Sequence, residues 1–529
     1  MRASFEPRLA KHTLVTFSFI VRNPQYIIVS QFLSLSSRMA LTDISLLKGE
    51  PFDAPTNTSP RNASAYKPLH TFELPKGTEK QYSQQYADMY FVRLAQLKNA
   101  VKQKAAEAWD DFELGGEKAK YVERVLDVRQ GELCWVVGTV YMEMSLKPNV
   151  LDDISKEHWI AAPPPRETYV NPSGQDDMML EDESGRLRIT GETVSSHYVT
   201  GCILAALGTE QADGSFQVVA TTYADLPKQP ERWDGENPNP KKPKSKASKM
   251  AIVSGLGITG TEDDDLTLDL LVEYLTGEAL GPQDQAEALQ LNRLVIAGNS
   301  LSHSSPILSR EDFAAKKSQK KNYGYDASSY NASPAEKLDA FLSQILPTIP
   351  ITILPGNTDP ANVALPQQPL HPALFPQSRA YVIPPSQSKD TLEGFDAVTN
   401  PWDGYIEGWR ILGASGQTVE DLLRYVDDVD PLEAMEMMLR WRCIAPTAPD
   451  TLSCYPFQED DPLLLKVCPH VYFAGNMNKF DRKVVEGPAG EKVLLISVPK
   501  FKETGQVVLV DMESLEVELV EIGVVAPGS

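Results

Sequence analysis

Cysteine is scarce in this sequence, and none of it is spaced for a metal or redox motif. There are five cysteines, Cys134, Cys202, Cys443, Cys454 and Cys468, and no two of them form a Cys-x-x-Cys pair. This spacing excludes zinc-ribbon and thioredoxin-type sites. An odd, scattered set is typical of reduced thiols inside the cell.

Basic residues are also in deficit. The 529 residues include 50 Lys and Arg against 72 Asp and Glu, so the formal net charge is −22. A protein that binds nucleic acid by itself usually carries a basic patch or stripe, and this balance argues against such a protein. An acidic subunit that binds a basic partner remains compatible with it.

Long apolar runs are missing, so no membrane partner is expected. Residues 14–34 are fairly apolar, but Arg22, Asn23 and Pro24 interrupt them. Three interpretations of residues 1–38 stay open. They are a transit peptide, a disordered tail, or a mispredicted start, in which case Met39 is the first residue and 1–38 are not translated.

The length leaves room for roughly three domains, and an extended tail and a helix come first. Residues 1–75 are expected to be a flexible tail, because 40–75 are rich in Pro, Ser and Asn and lack a period. Residues 76–118 form an N-terminal helical segment, with a helix predicted over 78–110. Apolar residues recur there at three- and four-residue steps: Tyr86, Tyr90, Leu94, Leu97 and Val101. Such a stripe predicts packing in a core or against another domain, and a partner groove is the alternative.

Short strands dominate residues 119–226. They are predicted at Leu133–Met144, Met178–Thr190 (with a turn at Glu183–Arg186), His197–Gly208 and Phe216–Tyr223. This pattern predicts a small barrel, and an OB-fold is the first choice. Such barrels often bind single strands through aromatics over a basic groove. The turn segment here is acidic instead, with Asp176, Asp177, Glu181, Asp182 and Glu183. We therefore expect a protein-binding or purely structural barrel.

Residues 227–249 read as a basic linker. A Pro/Asn stretch at 237–240 leads into five lysines: Lys241, Lys242, Lys244, Lys246 and Lys249. Such a run is typical of a nuclear-localisation signal, which predicts a nuclear protein. A solvated charged linker is the alternative.

Residues 250–529 alternate strands with helical segments, which predicts an α/β domain with a mostly parallel central sheet. Helices are predicted at 266–279 and 334–346. Two more have capping-box patterns, Thr418 with Asp421, and Asp430 with Pro431 and Glu433. Three strands at the end of the chain predict an antiparallel finish: Val493–Val498, Val507–Asp511 and Glu516–Ile522.

Five short β-branched or aromatic runs of this domain each end in a glycine-bearing loop. They are Ile252–Gly255, Val295–Asn299, Ile353–Asn357, Ile411–Gly416 and Tyr472–Asn476. Buried strands followed by tight glycine turns place such loops at one rim of a sheet. In α/β proteins that rim is where ligands and metals bind.

The order of these strands and loops resembles the calcineurin-like metallophosphoesterases. Enzymes of that family bind two metal ions about 4 Å apart, which activate water and hold a phosphate. Their ligand loops read Asp-x-His, Gly-Asp-x-x-Asp, Gly-Asn-His-Asp/Glu and, near the end, Gly-His-x-His. The corresponding positions here are Gly255 and Gly257, Asn299 and Ser302, Asn357, Thr358 and Asp359, and Asn476 and Asn478.

Only Asn357 and Asp359 match the family pattern at these positions, so most of the ligand charge that the resemblance implies is missing. Glycine, serine and neutral amides compensate divalent cations poorly, and without the metals no hydroxide forms at neutral pH. Two histidines nearby, His303 and His371, are interpreted as hydrogen-bonded structural groups. We expect no catalytic residue, no metal and no cofactor; a divergent, active phosphoesterase around Asn357, Asp359 and His303 is the alternative.

The sequence predicts, in order, a helix, an acidic OB-like barrel and a phosphoesterase-like domain without its ligands. This order resembles the B-subunits of replicative DNA polymerases, in particular the second, regulatory subunit of polymerase delta. The segments that carry the resemblance are Gln85–Tyr90, Glu181–Leu187, Val253–Gly257, Leu354–Pro360, Pro369–Pro372 with Phe375–Pro376, Thr399–Pro401 and Cys468–Asn476. It implies an α/β fold with an all-β barrel, in which an inactive metallophosphoesterase-like α/β sandwich carries an OB-fold domain and an N-terminal helix.

The same resemblance implies a non-catalytic scaffold in DNA replication and repair. Its partners would be the cysteine-rich C-terminal domain of the catalytic subunit of DNA polymerase delta and a third accessory subunit. The catalytic subunit of polymerase zeta is a further partner in related systems. Contact with DNA would be indirect, through the complex. A B-subunit of polymerase alpha or epsilon, and a direct binder of single-stranded DNA, stay open as alternatives.

Overall fold

The computed structural model describes residues 61, 64–77, 80, 87–148, 166–172, 174, 176–191, 197–232, 248–261, 265–278, 282–302, 332–382 and 394–523. Several sequence predictions lie outside these residues: the tail up to residue 60, four of the five linker lysines (Lys241, Lys242, Lys244 and Lys246), and His303.

The described helices are α1 Asp88–Trp109, α2 Asp265–Thr276, α3 Pro282–Ala288, α4 Ser333–Ile345, α5 Gln417–Tyr425, α6 Pro431–Arg440 and α7 Phe501–Thr504. The described strands are β1 Tyr66–Pro68, β2 Glu113–Leu114, β3 Glu117–Lys118, β4 Lys120–Val122, β5 Leu133–Glu143, β6 Asp177–Glu181, β7 Arg186–Thr190, β8 Ile203–Glu210, β9 Phe216–Tyr223, β10 Lys249–Val253, β11 Leu291–Ala297, β12 Ile351–Leu354, β13 Phe395–Ala397, β14 Trp402–Ile406, β15 Trp409–Ala414, β16 Val471–Met477, β17 Asp481–Glu486, β18 Lys492–Pro499, β19 Gln506–Asp511 and β20 Val517–Glu521. None of the described helices is long and apolar enough to cross a membrane.

Strands β4 to β9 form one sheet whose pairing returns on itself, called here the strand ring. Strand β5 pairs with β8 along Leu133–Thr139 and with β6 along Thr139–Glu143. The series β6, β7, β9 and β8 then leads back to β5. The strand predicted from His197 begins only at Ile203, because Gly201 has a left-handed φ of 89° and turns the chain before it.

Helix α1 packs on the outside of this sheet, as the apolar stripe predicts. Because side chains alternate along a strand, Val136 and Val140 of β5 belong to one core cluster, whereas Trp135 and Val137 belong to another, with α1. The stripe members Leu94, Leu97 and Val101 are buried in that second cluster. Packing against a core is therefore confirmed for these three residues.

The acidic segment of this sheet has a structural use. Asp177–Glu181 is strand β6 rather than a turn, and Asp177 and Glu181 pair with Arg188 and Arg186 on β7. The Asp182 carboxylate is buried and accepts hydrogen bonds from the backbone amides of Val125 (2.9 Å) and Ser184 (2.7 Å). These contacts agree with the structural interpretation of the acidic residues.

Helix α1 and the strand ring make the first structural unit. Two six-stranded sheets form the second unit, in the orders β13-β12-β11-β10-β19-β20 and β1-β14-β15-β16-β18-β17. One apolar cluster contains residues of both: Ile252, Val295 and Val508 from the first, and Ile411, Phe473 and Ile496 from the second. The outer faces are covered by α2 and α4 on the first sheet and by α5 and α6 on the second. The prediction of a single central sheet is wrong, because the alternation of strands and helices does not encode which strands become neighbours.

The last three strands are divided between these two sheets. Strands β19 and β20 are antiparallel, as predicted. Strand β18 instead lies parallel to β16 in the other sheet. Between β18 and β19 the short helix α7 links the two sheets.

Two boundaries need correction. Residues 64–75, expected as part of a flexible tail, contain strand β1, which pairs with β14, and buried Phe72 and Leu74. Lys249, counted with the linker lysines, begins β10 and pairs with Glu518 at 2.7 Å. The strand pairing and the burial at these positions come from residues far away in sequence, so neither was visible in local composition.

Of the two predicted capping boxes, one is confirmed and one is wrong. Asp430 accepts the backbone amide of Glu433 at 2.8 Å and the reciprocal bond is present, with Pro431 in the first turn. At α5 the N-cap is Gly416, with φ of 102°, and Thr418 lies inside the helix. The close approach of Gly475 explains the glycine, because a Cβ at Gly416 would lie 2.1 Å from the Gly475 carbonyl oxygen.

Candidate functional site

The five glycine-bearing loops meet at one end of the two-sheet unit. Three follow β10, β11 and β12 of the first sheet, and two involve the ends of β15 and β16 in the second. The Gly255 amide donates to the Gly298 carbonyl at 2.9 Å. Across the sheets, the Asn476 amide donates to Ser254 Oγ at 2.8 Å. The loops therefore do come together, although they belong to two sheets.

Backbone segments fill the space between these loops. Gly298 has φ of 79°, and a Cβ there would lie 2.4 Å from Ser415 Cβ. A Cβ at Gly475 would lie 2.4 Å from the Ala297 carbonyl oxygen. Real Cβ atoms do not approach other atoms so closely, so glycine is what lets the two sheets approach here.

The first loop offers no side-chain donors at its two degenerate positions. Gly255 and Gly257 have φ of 62° and 55°. A Cβ at Gly255 would lie 2.8 Å from Asn476 Oδ1, and one at Gly257 would lie 2.9 Å from Lys502 Cδ. Lys502 Nζ donates to the Gly257 carbonyl at 2.7 Å. A cationic side chain therefore lies where the family resemblance implies a histidine ligand.

The second and third loops are joined by side chains that bond to backbone. Asn299, with φ of 53°, accepts the Thr358 amide on its Oδ1 at 3.2 Å. Thr358 Oγ1 donates to the Leu301 carbonyl at 2.5 Å. Asp359 is buried and accepts the amides of Leu301 and Gly356, both at 2.8 Å, one on each carboxylate oxygen. The retained acid, Asp359, thus joins the second loop to the third.

Burial raises the pKa of the Asp359 carboxyl to about 6, although hydrogen bonds from backbone amides, led by Leu301 and Gly356, act to lower it. A pKa raised in the folded state means that the protonated form is favoured by folding. The contribution is fully present below the unfolded pKa near 3.8 and is lost as the pH rises through about 6. Its size is on the order of 3 kcal/mol.

Replacing Asp359 by asparagine should remove this pH dependence. The asparagine side chain presents an NH2 group to one of the two amides, so the variant is less stable than the parent protein by about 1–3 kcal/mol near neutral pH. We expect the difference between parent and Asp359→Asn to be larger at pH 4.5 than at pH 7.5, measured by urea unfolding.

Asp213→Asn is the control for this prediction, because that exposed carboxyl has its pKa lowered by hydrogen bonds from Ser215. It is ionised in both states throughout the same pH range, so its effect should stay constant. A constant difference for Asp359→Asn as well would contradict the raised pKa.

The last loop is also occupied by backbone contacts. Asn476 has φ of 60° and donates from Nδ2 to the carbonyls of Ala297 (3.2 Å) and Ser415 (2.8 Å). Three degenerate positions lie at the periphery, with Asn357 and Asn478 exposed and Ser302 half-buried. The predicted site residues are therefore divided between a packed centre and a solvated border.

A neutral hydrogen-bond network beside these loops was missed by sequence reasoning. Asn400 Nδ2 lies within hydrogen-bond distance of Gln367 Oε1 (2.8 Å), Ser415 Oγ (2.6 Å) and Gln417 Oε1 (2.7 Å). Gln367 Nε2 in turn donates to the Gly356 carbonyl at 3.2 Å. The Thr399–Pro401 motif and the loops at Gly356 and Gly416 pointed to this region, but Gln367 and Gln417 were missed, because isolated Gln residues carry no pattern of their own.

A pair of divalent metal ions does not fit these residues. Among the described residues the carboxylate at the centre is that of Asp359, and both of its oxygens accept backbone amides. The other central side chains, those of Asn299, Thr358 and Asn476, are neutral and bond to the loops themselves. Hard cations need charged oxygen ligands from several loops at once. Among the described residues no group of three or more His, Cys, Asp or Glu is placed to hold a metal.

His371 has a local structural role, as interpreted from the sequence. It is exposed, and its Nδ1 accepts the Ala373 amide at 3.1 Å at the start of a short 3-10 turn. His303, the other histidine considered, lies outside the described residues. The interpretation of His371 as a hydrogen-bonded structural group is confirmed.

Comparison with known proteins gives matches in both units. Residues 250–482 match the family model of the DNA polymerase alpha/epsilon B-subunit, and residues 85–221 match the one described as DNA polymerase delta subunit OB-fold domain. The chain is 37% identical over 458 residues to the DNA polymerase delta small subunit of Arabidopsis thaliana, covering 86% of this chain and 95% of the relative. It is 35% identical over 439 residues to that of Oryza sativa subsp. japonica, covering 83% and 93%. It is 34% identical over 474 residues to that of Saccharomyces cerevisiae, covering 84% and 91%.

Proposed function

Since the chain belongs to the family of DNA polymerase delta small subunits, and so is a non-catalytic subunit of that replicative polymerase, we propose that it works as a rigid scaffold. One surface holds the cysteine-rich C-terminal domain of the catalytic subunit, and another holds a third accessory subunit. The chain contacts DNA indirectly, through the complex, and acts in the nucleus. The polymerase zeta catalytic subunit is a further partner of the same kind.

The observation that carries the proposal is the closed loop centre. Glycine backbones at Gly298 and Gly475 lie in contact with the facing sheet, and the Asp359 carboxylate accepts backbone amides. Such an arrangement stabilises a fold and leaves, among the described residues, no ligand set for a metal-activated water. It supports an inactive phosphoesterase-like sandwich over residues 250–529, preceded by an OB-fold barrel over 119–226.

The two units are joined firmly enough to present one combined surface. One core cluster includes Val136 and Phe216 of the strand ring together with Leu432 and Trp441 of the α6 region. At the same junction Arg440 pairs with Asp225 at 2.7 Å. A buried apolar junction with paired charges resists relative motion. This supports a seat for the catalytic subunit that both units build.

Capture of the catalytic subunit is the decisive test. We expect the chain, co-expressed with the polymerase delta catalytic subunit, to form a complex that is lost when the cysteine-rich C-terminal domain of the catalytic subunit is removed. Binding of the third subunit to the chain should survive that removal. Capture that does not depend on the C-terminal domain would contradict the proposed seat.

A divergent phosphoesterase is the alternative that needs an assay. We expect no hydrolysis of a generic phosphodiester in Mn²⁺ above the background of the Asp359→Asn variant, and no manganese retained after gel filtration. Retained metal together with turnover that the substitution removes would favour the enzyme. The relatives named above are subunits of polymerase delta, which favours that branch over the alpha and epsilon alternatives.

A further inference from the structure

A groove of about 390 Å³ lies where the strand ring meets helix α6. Its floor is formed by Tyr198 and Trp441, whose rings lie 6.4 Å apart and are both nearly buried. Its walls include three half-buried apolar side chains, Tyr223, Val429 and Met437. The groove is therefore apolar at its base and is contributed by both units.

The charges around this groove are unbalanced. The two cations that line it are already paired, Arg440 with Asp225 and Lys483 with Glu436, both at 2.7 Å. Glu433 lines the groove, and three more exposed carboxylates lie within two residues of Val429, which also lines it: Asp427, Asp428 and Asp430. In the described part of the chain none of the four has a salt-bridge partner. The apolar groove thus has an acidic border.

An apolar groove with an acidic border is complementary to one kind of peptide. Large apolar side chains on one face of a helix fit such a groove, and lysine or arginine on its flanks meets the carboxylates and speeds association. We propose that this groove, called here the α6 groove, binds a basic amphipathic segment of a polymerase partner subunit. The inference rests on the proposed scaffold role and adds the surface and the chemistry of its partner.

A labelled peptide can test the α6 groove directly. The probe is a fluorescent helical peptide of roughly 14 residues with leucine on one face and lysine on the other, and its counterpart has glutamate in place of lysine. Fluorescence anisotropy with the full chain should show saturable one-to-one binding of the lysine peptide and none of the glutamate peptide. No binding of the lysine peptide, or equal binding of both, would overturn the proposal.

Variants then locate the binding. Met437→Lys places a cation in the groove and should weaken binding of the lysine peptide by about tenfold or more, whereas Met437→Leu should keep it. Leu266→Lys is the matched control, because Leu266 is an exposed apolar residue of another helix, α2. Equal losses in Met437→Lys and Leu266→Lys would place the binding elsewhere.

Asp427→Lys gives an independent variant that leaves the half-buried side chains of the groove unchanged. Asp427 is exposed, so the fold should be retained, as urea unfolding can verify. We expect binding of the lysine peptide to fall about three- to tenfold at 0.15 M salt, with a smaller effect at 0.5 M, because salt screens exposed charges. An effect of equal size at both salt concentrations would contradict the role of the acidic border.

Assembly of the three-subunit complex separates this inference from the proposed function. Met437→Lys should lose one partner subunit in a co-purification in which Leu266→Lys loses none. If the parent chain assembles and Met437→Lys assembles as well, the α6 groove proposal is overturned and the scaffold role stands. If the parent chain itself captures no catalytic subunit, the scaffold role fails, and the groove, as a seat for a polymerase partner, fails with it.

Discussion

Replacing Arg93 by methionine is expected to lower the free energy of unfolding by about 3–5 kcal/mol. Arg93 on α1 pairs through Nε with Asp461 Oδ2 at 2.6 Å, and both side chains are 1% exposed. Its Nη1 also donates to the Ala448 carbonyl at 2.6 Å. Removing the guanidinium leaves the Asp461 carboxylate buried without its cation, which costs more than the pair itself contributes. Equilibrium urea unfolding measures the loss.

A double-mutant cycle and an exposed ion pair are the controls for this experiment. Arg93→Met combined with Asp461→Asn should be less destabilised than the sum of the two single variants, because the second change removes the unpaired charge. Lys466 and Asp460 lie beside the same segment and form an ion pair with exposures of 58% and 59%. Lys466→Met should therefore change stability by less than about 1 kcal/mol. Comparable losses at Arg93 and Lys466 would contradict the buried pair.

Gly298→Ala is expected to cost about 3–5 kcal/mol, because two penalties act together. Gly298 has φ of 79°, and its Cβ would lie 2.4 Å from Ser415 Cβ, with Gly356 Cα at 3.0 Å. Gly214 has nearly the same φ, 81°, and nothing within 4 Å of its Cβ position. Gly214→Ala therefore measures the backbone penalty alone, about 1–2 kcal/mol.

The difference between these two glycine variants also bears on function. A closed loop centre predicts that Gly298→Ala costs clearly more than Gly214→Ala in urea unfolding. An open cleft of the kind that could admit two metal ions and a phosphate would leave room for the extra methyl group. Equal losses in the two variants would therefore count against the packed centre on which the inactive interpretation depends.

Local patterns predicted the elements that local chemistry controls. The α6 capping box at Asp430 is formed within a few residues, so its side chains and backbone can be recognised together. The three stripe residues of α1 follow from the helical period, and β5 lies within the strand predicted at Leu133–Met144. The loops at Gly255, Gly298 and Gly356 were also found, since glycine after an apolar run marks a tight turn.

Predictions failed where a residue distant in sequence determines the local structure. Thr418 fits a capping pattern, yet contact with Gly475 makes Gly416 the cap of α5. Lys249 reads as the end of a basic run, but its partner Glu518 lies on β20. The Arg93–Asp461 pair spans 368 positions of the chain. No local window contains both members of such contacts.

The amino-acid sequence by itself determined the succession of helices, strands and glycine turns, and it determined that most ligand positions of the loops are neutral, because residue type and short-range period are written along the chain. The tertiary structure alone decided that the loops come from two sheets, that Asp359 bonds to backbone amides, and that Tyr198 and Met437 line one groove. These features depend on which surfaces bury each other, and burial is a property of the whole molecule.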